Sequence, residues 1–145
     1  MSLRSALLLG VAVQFILVAW ALVQPLTVLT RLVPDDAFYY FQIARMLAAG
    51  EGSVFSPGEP TNGYHPLWQG ALWALAAGTH PTRLGLVAQA LVLCVLCNAG
   101  ASVLLARLLA RTRASASQQI LGVLFYLLSP WSLLMTLGGL ETALW

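Results

Sequence analysis

Apolar residues follow one another without a charged neighbour over positions 5–30, 84–106 and 114–140. Each run outlasts the roughly 20 residues that an α-helix needs to cross about 30 Å of hydrocarbon. Lipid offers no partner to a free backbone N–H or C=O, so such runs cross as helices. The pattern predicts spans over 6–29, 84–109 and 118–137, with Pro25 kinking the end of the first and Pro130 kinking the third. Between the first two spans the period changes. Pro34-Asp35-Asp36 opens a helical pattern over 36–49 that stops at Gly50, with the acids suited to capping its free N–H groups. Ala37, Tyr40, Phe41, Ala44, Leu47 and Ala48 share one face, while Gln42 and Arg45 lie elsewhere. At about 13 residues this helix is too short to span and fits an interfacial amphipathic element, with Phe38, Tyr39, Tyr40 and Phe41 at headgroup level. Turn formers interrupted by aromatic residues then predict a structured loop over 51–65. A second short apolar helix over 66–77 follows, with Trp68 and Trp73 as expected interface anchors and the whole outer segment occupying 30–83.

Composition sharpens this picture. Charged residues are 8% of the chain and hydrophobic residues 59%, far from a soluble domain's balance. A soluble globular protein, a disordered chain and a nucleic-acid binder with a basic face are all excluded. The expected fold class is an all-α membrane protein of three transmembrane helices, with an amphipathic juxtamembrane helix and loop between the first and second. Arg4, Arg107, Arg111 and Arg113 lie on one side of the predicted spans, and Arg31, Arg45 and Arg83 on the other. The cluster tight against a membrane end carries the most weight under the positive-inside rule, so the N-terminus is expected in the cytoplasm of a multi-pass cell-membrane protein. Arg4, the apolar stretch after it and Ala19-Trp20-Ala21 mimic a cleavable signal, yet the apolar run continues through Leu29 and is long enough to span.

With that orientation all five acids, Asp35, Asp36, Glu51, Glu59 and Glu141, fall on the outer face together with His65. Acids beside a membrane surface suit general-base work on a hydroxyl or the holding of a divalent cation. Plainer readings stand beside these. Asp35 and Asp36 also read as helix caps, Glu141 as the first solvated acid after a span, and Arg83 as a lipid-headgroup anchor. His65 reads equally as a ligand or an interfacial polar group, and His80 as a turn residue. Cys94 and Cys97 have redox spacing but fall mid-span, where small packing residues are the better reading; Asn98, Gly100, Ala101 and Ser102 beside them suggest a close helix–helix contact. No phosphate loop, nucleotide fold or zinc motif occurs.

The motifs Asp35-Asp36-Ala37-Phe38-Tyr39-Tyr40, Gln42-Ile43-Ala44-Arg45, Ala49-Gly50-Glu51-Gly52 and Pro60-Thr61-Asn62-Gly63-Tyr64-His65-Pro66-Leu67-Trp68 resemble the first outer loop of bacterial GT-C glycosyltransferases. These include the protein mannosyltransferases and the lipid A aminoarabinose and mycobacterial arabinosyltransferases. Gly138-Gly139-Leu140-Glu141-Thr142-Ala143-Leu144 resembles their second outer-loop motif. The resemblance implies an enzyme that moves a sugar from a polyprenyl-phosphate carrier to an acceptor hydroxyl on the outer face. It implies Asp35 as general base and Asp36 as orienting the acceptor or a cation. His65 and Arg83 would face the donor phosphate, Glu141 would complete the cleft, and Tyr39, Asn62 and Tyr64 would contact substrate. Metal dependence differs between branches of the group. A divalent cation, Mg or Mn, would fall to Asp35 and Asp36. Members of the group carry many more spans, so the chain is expected to be the N-terminal portion of such an enzyme, inactive alone and dependent on the remainder or on other membrane helices. The alternative is a non-catalytic small membrane subunit or scaffold that binds a lipid-linked sugar or a larger partner.

Overall fold

A computed structural model describes residues 1–56 and 58–144, with only the backbone of Ala143 and Leu144 described. The chain is mostly helical: α1 (Leu3–Leu22), α2 (Leu26–Leu32), α3 (Asp35–Ala48), α4 (Pro66–Thr79), α5 (Arg83–Arg111), α6 (Ala116–Leu128) and α7 (Pro130–Gly138), then a 3-10 turn at Glu141–Leu144. Helices α1 and α5 are each long and apolar enough to cross a membrane, and α6 with α7 makes a third span if the bent pair counts as one. The expectation of an all-helical chain is amended in one place. Val54–Ser56 (β1) and Glu59–Pro60 (β2) form a small antiparallel ribbon inside the loop, pairing Val54 with Pro60 and Ser56 with Glu59.

Local chemistry accounts for the element ends. Ser2 caps α1, Thr82 caps α5, and Ser115 with Gln118 forms a reciprocal capping box on α6. Helix α3 ends where Gly50 takes φ +80°, with its N–H on the Leu47 carbonyl and the Glu51 N–H on the Met46 carbonyl. Those two bonds occupy carbonyls that the last turn leaves free. The first predicted span differs from the observed helix. Pro25 does not kink a helix running to position 29; α1 stops at Leu22 and α2 starts anew. Proline has no N–H for the carbonyl one turn back, and here the Gln24 backbone and side chain donate to Ala21 and Trp20 carbonyls instead.

Pro130 breaks the third span more sharply than a kink, bending α6 from α7 by 47°. The break leaves carbonyls of the last α6 turn without helical donors, and side chains take over. The Ser129 hydroxyl donates to the Tyr126 carbonyl at 3.1 Å, and Gln14 Nε2 of α1 donates to the Leu127 carbonyl at 2.9 Å. Gln14 Nε2 also reaches Ser132 Oγ at 3.1 Å. Asn98 of α5 donates to Thr136 Oγ1 at 2.9 Å and to Gln14 Oε1 at 3.4 Å, and accepts from the Tyr126 hydroxyl at 3.1 Å. A buried polar network thus ties α1, α5, α6 and α7 together. Beside it the backbones of α1 and α6 approach so closely that a Cβ on Gly10 would sit 2.6 Å from Leu127 Cδ1.

The main core joins α1 to α5 with α7: Val18, Ala21, Leu29, Val33, Tyr40, Phe41, Trp68, Leu72, Leu91 and Leu137 are buried together. A smaller cluster of Ala106, Val123 and Leu127 closes the other end of the bundle, where Leu3 and Leu7 pack on it. Trp68 is corrected by this arrangement. It is fully buried rather than an interface anchor, because α4 packs along α3 and turns Trp68 inward; Trp73 stays exposed. Tyr40 and Phe41 are likewise core residues rather than headgroup-level aromatics.

Candidate functional site

Helix α3 carries two opposite faces that meet different neighbours. Asp36, Tyr39, Tyr40 and Ile43 recur at the three- and four-residue spacing that keeps side chains on one face. That face forms one wall of a cleft of about 680 Å³. The ribbon supplies Phe55, Glu59, Pro60 and the following Thr61 and Gly63, and the segment after α7 supplies Leu140 and Glu141. Three carboxylates, those of Asp36, Glu59 and Glu141, therefore line one cleft from three separate elements. The Tyr39 and Phe55 rings lie against one another in it, with centroids 4.6 Å apart.

Glycines and aromatic residues bring the second motif to the first. Gly139 takes φ +61°, a conformation that costs an L-residue with a Cβ, and a Cβ there would also stand 3.0 Å from the Phe41 ring. The Gly139 carbonyl accepts from Trp68 Nε1 at 3.2 Å. Those contacts lock the turn that holds Glu141 over α3. Glu141 Oε2 is buried and, among the described residues, has no hydrogen-bond partner. A carboxylate oxygen so held is an acceptor available to a ligand hydroxyl or cation.

Tyr40, expected from the sequence at headgroup level, connects the parts. Its hydroxyl oxygen accepts the His65 backbone N–H at 2.9 Å, and the Glu141 carboxylate lies near enough to interact with it. Burial pushes the Tyr40 hydroxyl above its ordinary value of 10.0; the His65 amide pulls it down, and the nearby Glu141 and Asp36 charges push it up again. The available signal was the recurrence of Asp36, Tyr39, Tyr40 and Ile43 at three- and four-residue spacing, which puts an acid and two phenols on one helix face.

The remaining expected residues are distributed around this cleft rather than all inside it. Asp35 is exposed, and its Oδ1 accepts the Asp36 N–H at 3.1 Å, so it serves the first turn of α3. Asp36, rather than Asp35, stands on the cleft wall. His65 precedes α4 as its N-cap, with Nδ1 buried. Tyr64 shares a hydrogen bond of 2.8 Å with Ser53 Oγ, which also bonds the Thr61 carbonyl and so ties the ribbon's two sides. Asn62 lines a separate shallow cleft on the ribbon with Glu51 and Ser53. Arg83 is not beside Asp36 or Glu141: it lines a cleft with Gln42 and Arg45, on the opposite face of α3. Among the described residues no group of three or more His, Cys, Asp or Glu is arranged to hold a metal ion. The expected Asp35–Asp36 cation pair therefore has no third such ligand there. Cys94 is buried and Cys97 half-buried within α5, both as free thiols.

No protein-family profile, no curated protein and no solved structure matches the chain.

Proposed function

We propose that the chain is part of a membrane glycosyltransferase, moving a sugar from a polyprenyl-phosphate donor to an acceptor hydroxyl at the cleft between α3, the ribbon and Glu141. The supporting observation is that acids from two motifs distant in sequence, Asp36 and Glu141, line the same cleft. In this reading the acceptor hydroxyl gives its proton to a carboxylate as its oxygen bonds the anomeric carbon. The bond from that carbon to the phosphate oxygen breaks, the lipid phosphate leaves with the electron pair, and the configuration inverts. Exposure to the cleft favours Asp36 as the base, with Asp35 supporting the helix end. Glu141, oriented by the Tyr40 hydroxyl, accepts a sugar or acceptor hydroxyl, and the Tyr39–Phe55 pair offers a flat apolar platform to a ring. This end of the bundle is assigned to the outer face of a bacterial cell membrane, with the N-terminus cytoplasmic.

The test replaces Asp36 by Asn, Asp35 by Asn and Glu141 by Gln at the native locus. Membranes are then supplied with synthetic polyprenyl-phosphate mannose, aminoarabinose and arabinose. Loss of a general base is expected to lower transfer by about 10²- to 10⁴-fold in Asp36→Asn with the protein level unchanged. Full activity in that variant with loss in Asp35→Asn would return the base role to Asp35. Binding of these donors without transfer by the wild type would remove the enzyme assignment and favour a non-catalytic lipid-sugar-binding subunit.

A further inference from the structure

On the face of α3 turned away from the acids, Gln42, Arg45, Met46 and Ala49 recur at the same helical spacing and line a cleft of about 390 Å³. His80 and Pro81, from the turn after α4, and Arg83, at the start of α5, close it. No residue lining it is acidic. Among the described residues no salt bridge or side-chain hydrogen bond engages either arginine, so both guanidinium groups keep their donors for a ligand. The wall between the two arginines is apolar, made by Met46, Ala48, Ala49 and Ala76.

Two further features bear on what fits there. Arg83 is the first residue of α5, and the membrane-crossing apolar run starts with the next residue, Leu84. The cleft therefore lies at the level where hydrocarbon gives way to headgroups, if α5 spans. His80 holds φ +46° as the C-cap of α4, with its N–H on the Ala76 carbonyl at 3.0 Å. Glycine would occupy that position without strain. Instead the site carries an imidazole on the cleft wall, a backbone cost spent where a donor or cation is presented.

We propose that the Arg45–Arg83–His80 cleft binds the phosphate of an anionic bilayer lipid. The two guanidinium groups pair with phosphate oxygens, Gln42 and His80 add donors, and the apolar wall takes the start of the acyl region. This site is separate from the acidic cleft and does not depend on glycosyl transfer. Holding a lipid there would fix α3 against the outer end of α5 and so steady the opposite, acidic face of the same helix.

The experiment is native mass spectrometry of the purified full chain released from nanodiscs of equal phosphatidylglycerol and phosphatidylcholine. Retained phosphatidylglycerol is expected to exceed phosphatidylcholine and to fall by about tenfold or more in the Arg45→Gln/Arg83→Gln double variant, the loss of charge-assisted bonds. It should be unchanged in Arg107→Gln/Arg111→Gln, at the other end of α5. His80→Gly removes the imidazole while relieving the backbone, so it should weaken retention with the melting temperature held or raised. That separates ligand loss from misfolding. Equal retention of both lipids, or no change in the Arg45/Arg83 variant, overturns the proposal. Displacement of the lipid by millimolar inorganic phosphate alone would assign the cleft to a soluble phosphate and overturn the lipid assignment.

Discussion

At the scale of single residues, one tyrosine links the core to the acids. Tyr40 is buried against α4, yet its hydroxyl sits between a backbone donor at His65 and the Glu141 carboxylate. Its raised pKa means that the folded state holds the phenolic proton more tightly than the unfolded state. The resulting contribution to stability is fully present below the ordinary tyrosine range, where both states are protonated. It declines as the unfolded chain ionises and is lost once pH has risen through the folded-state value. A spectrophotometric titration should therefore show tyrosine ionisation above 10.0 in the wild type, with one residue's share of it missing from Tyr40→Phe. Asp36→Asn should bring that titration downward by removing a like charge. An unshifted titration in the wild type would contradict the packing described. The residue scale is also where sequence reading was least complete. Helical periodicity put Tyr40 on the apolar face of α3 but not in the core, and periodicity cannot say that a turn about a hundred positions later brings a carboxylate to the same ring.

Among the elements, the break between α6 and α7 shows how a defect is made tolerable. Pro130 removes one helical donor, and the carbonyls it leaves are met by Ser129 within the turn and by Gln14 from α1. Gln14→Leu keeps the size and apolarity of α1 but strands the Leu127 carbonyl. A loss of about 1–2 kcal/mol is expected, given that measured interhelical bonds in membranes rarely exceed that. Reversible unfolding in mixed detergent micelles reads it. A neutral result would mean that water or another donor reaches Leu127. Sequence alone pointed to this region through Asn98 and its small neighbours and through Pro130, each of which is unusual in a span. It did not pair them with Gln14, since three helices must first pack before a glutamine on the first can reach a carbonyl on the third. The ribbon is the opposite case. Its turn formers were legible, but two strands of so few residues are held by their packing on α3 rather than by propensity.

For the whole molecule, charge and apolar length set the frame. Arg4 and the Arg107–Arg113 region lie at one end of the bundle, and the acids converge at the other. With the assigned orientation, Glu51→Cys should react with a membrane-impermeant maleimide in intact spheroplasts and Ser117→Cys should react only after lysis. Reversed labelling would place the acidic cleft in the cytoplasm and remove access to an outer-face acceptor. The sequence by itself determined that the chain is helical, that it contains runs able to cross a bilayer and that its acids share one end. Those properties depend on hydrophobicity summed over a window and on backbone bonds within a segment, so they are local. Tertiary structure alone decided which acid faces the cleft, that Trp68 is buried, and that Arg83 stands across α3 from Glu141. It also decided that Gly139 is where α4, α5 and the last turn meet. Each of those depends on the rotation of one helix against another, which is settled by the packing of side chains from distant segments and is carried by no segment alone.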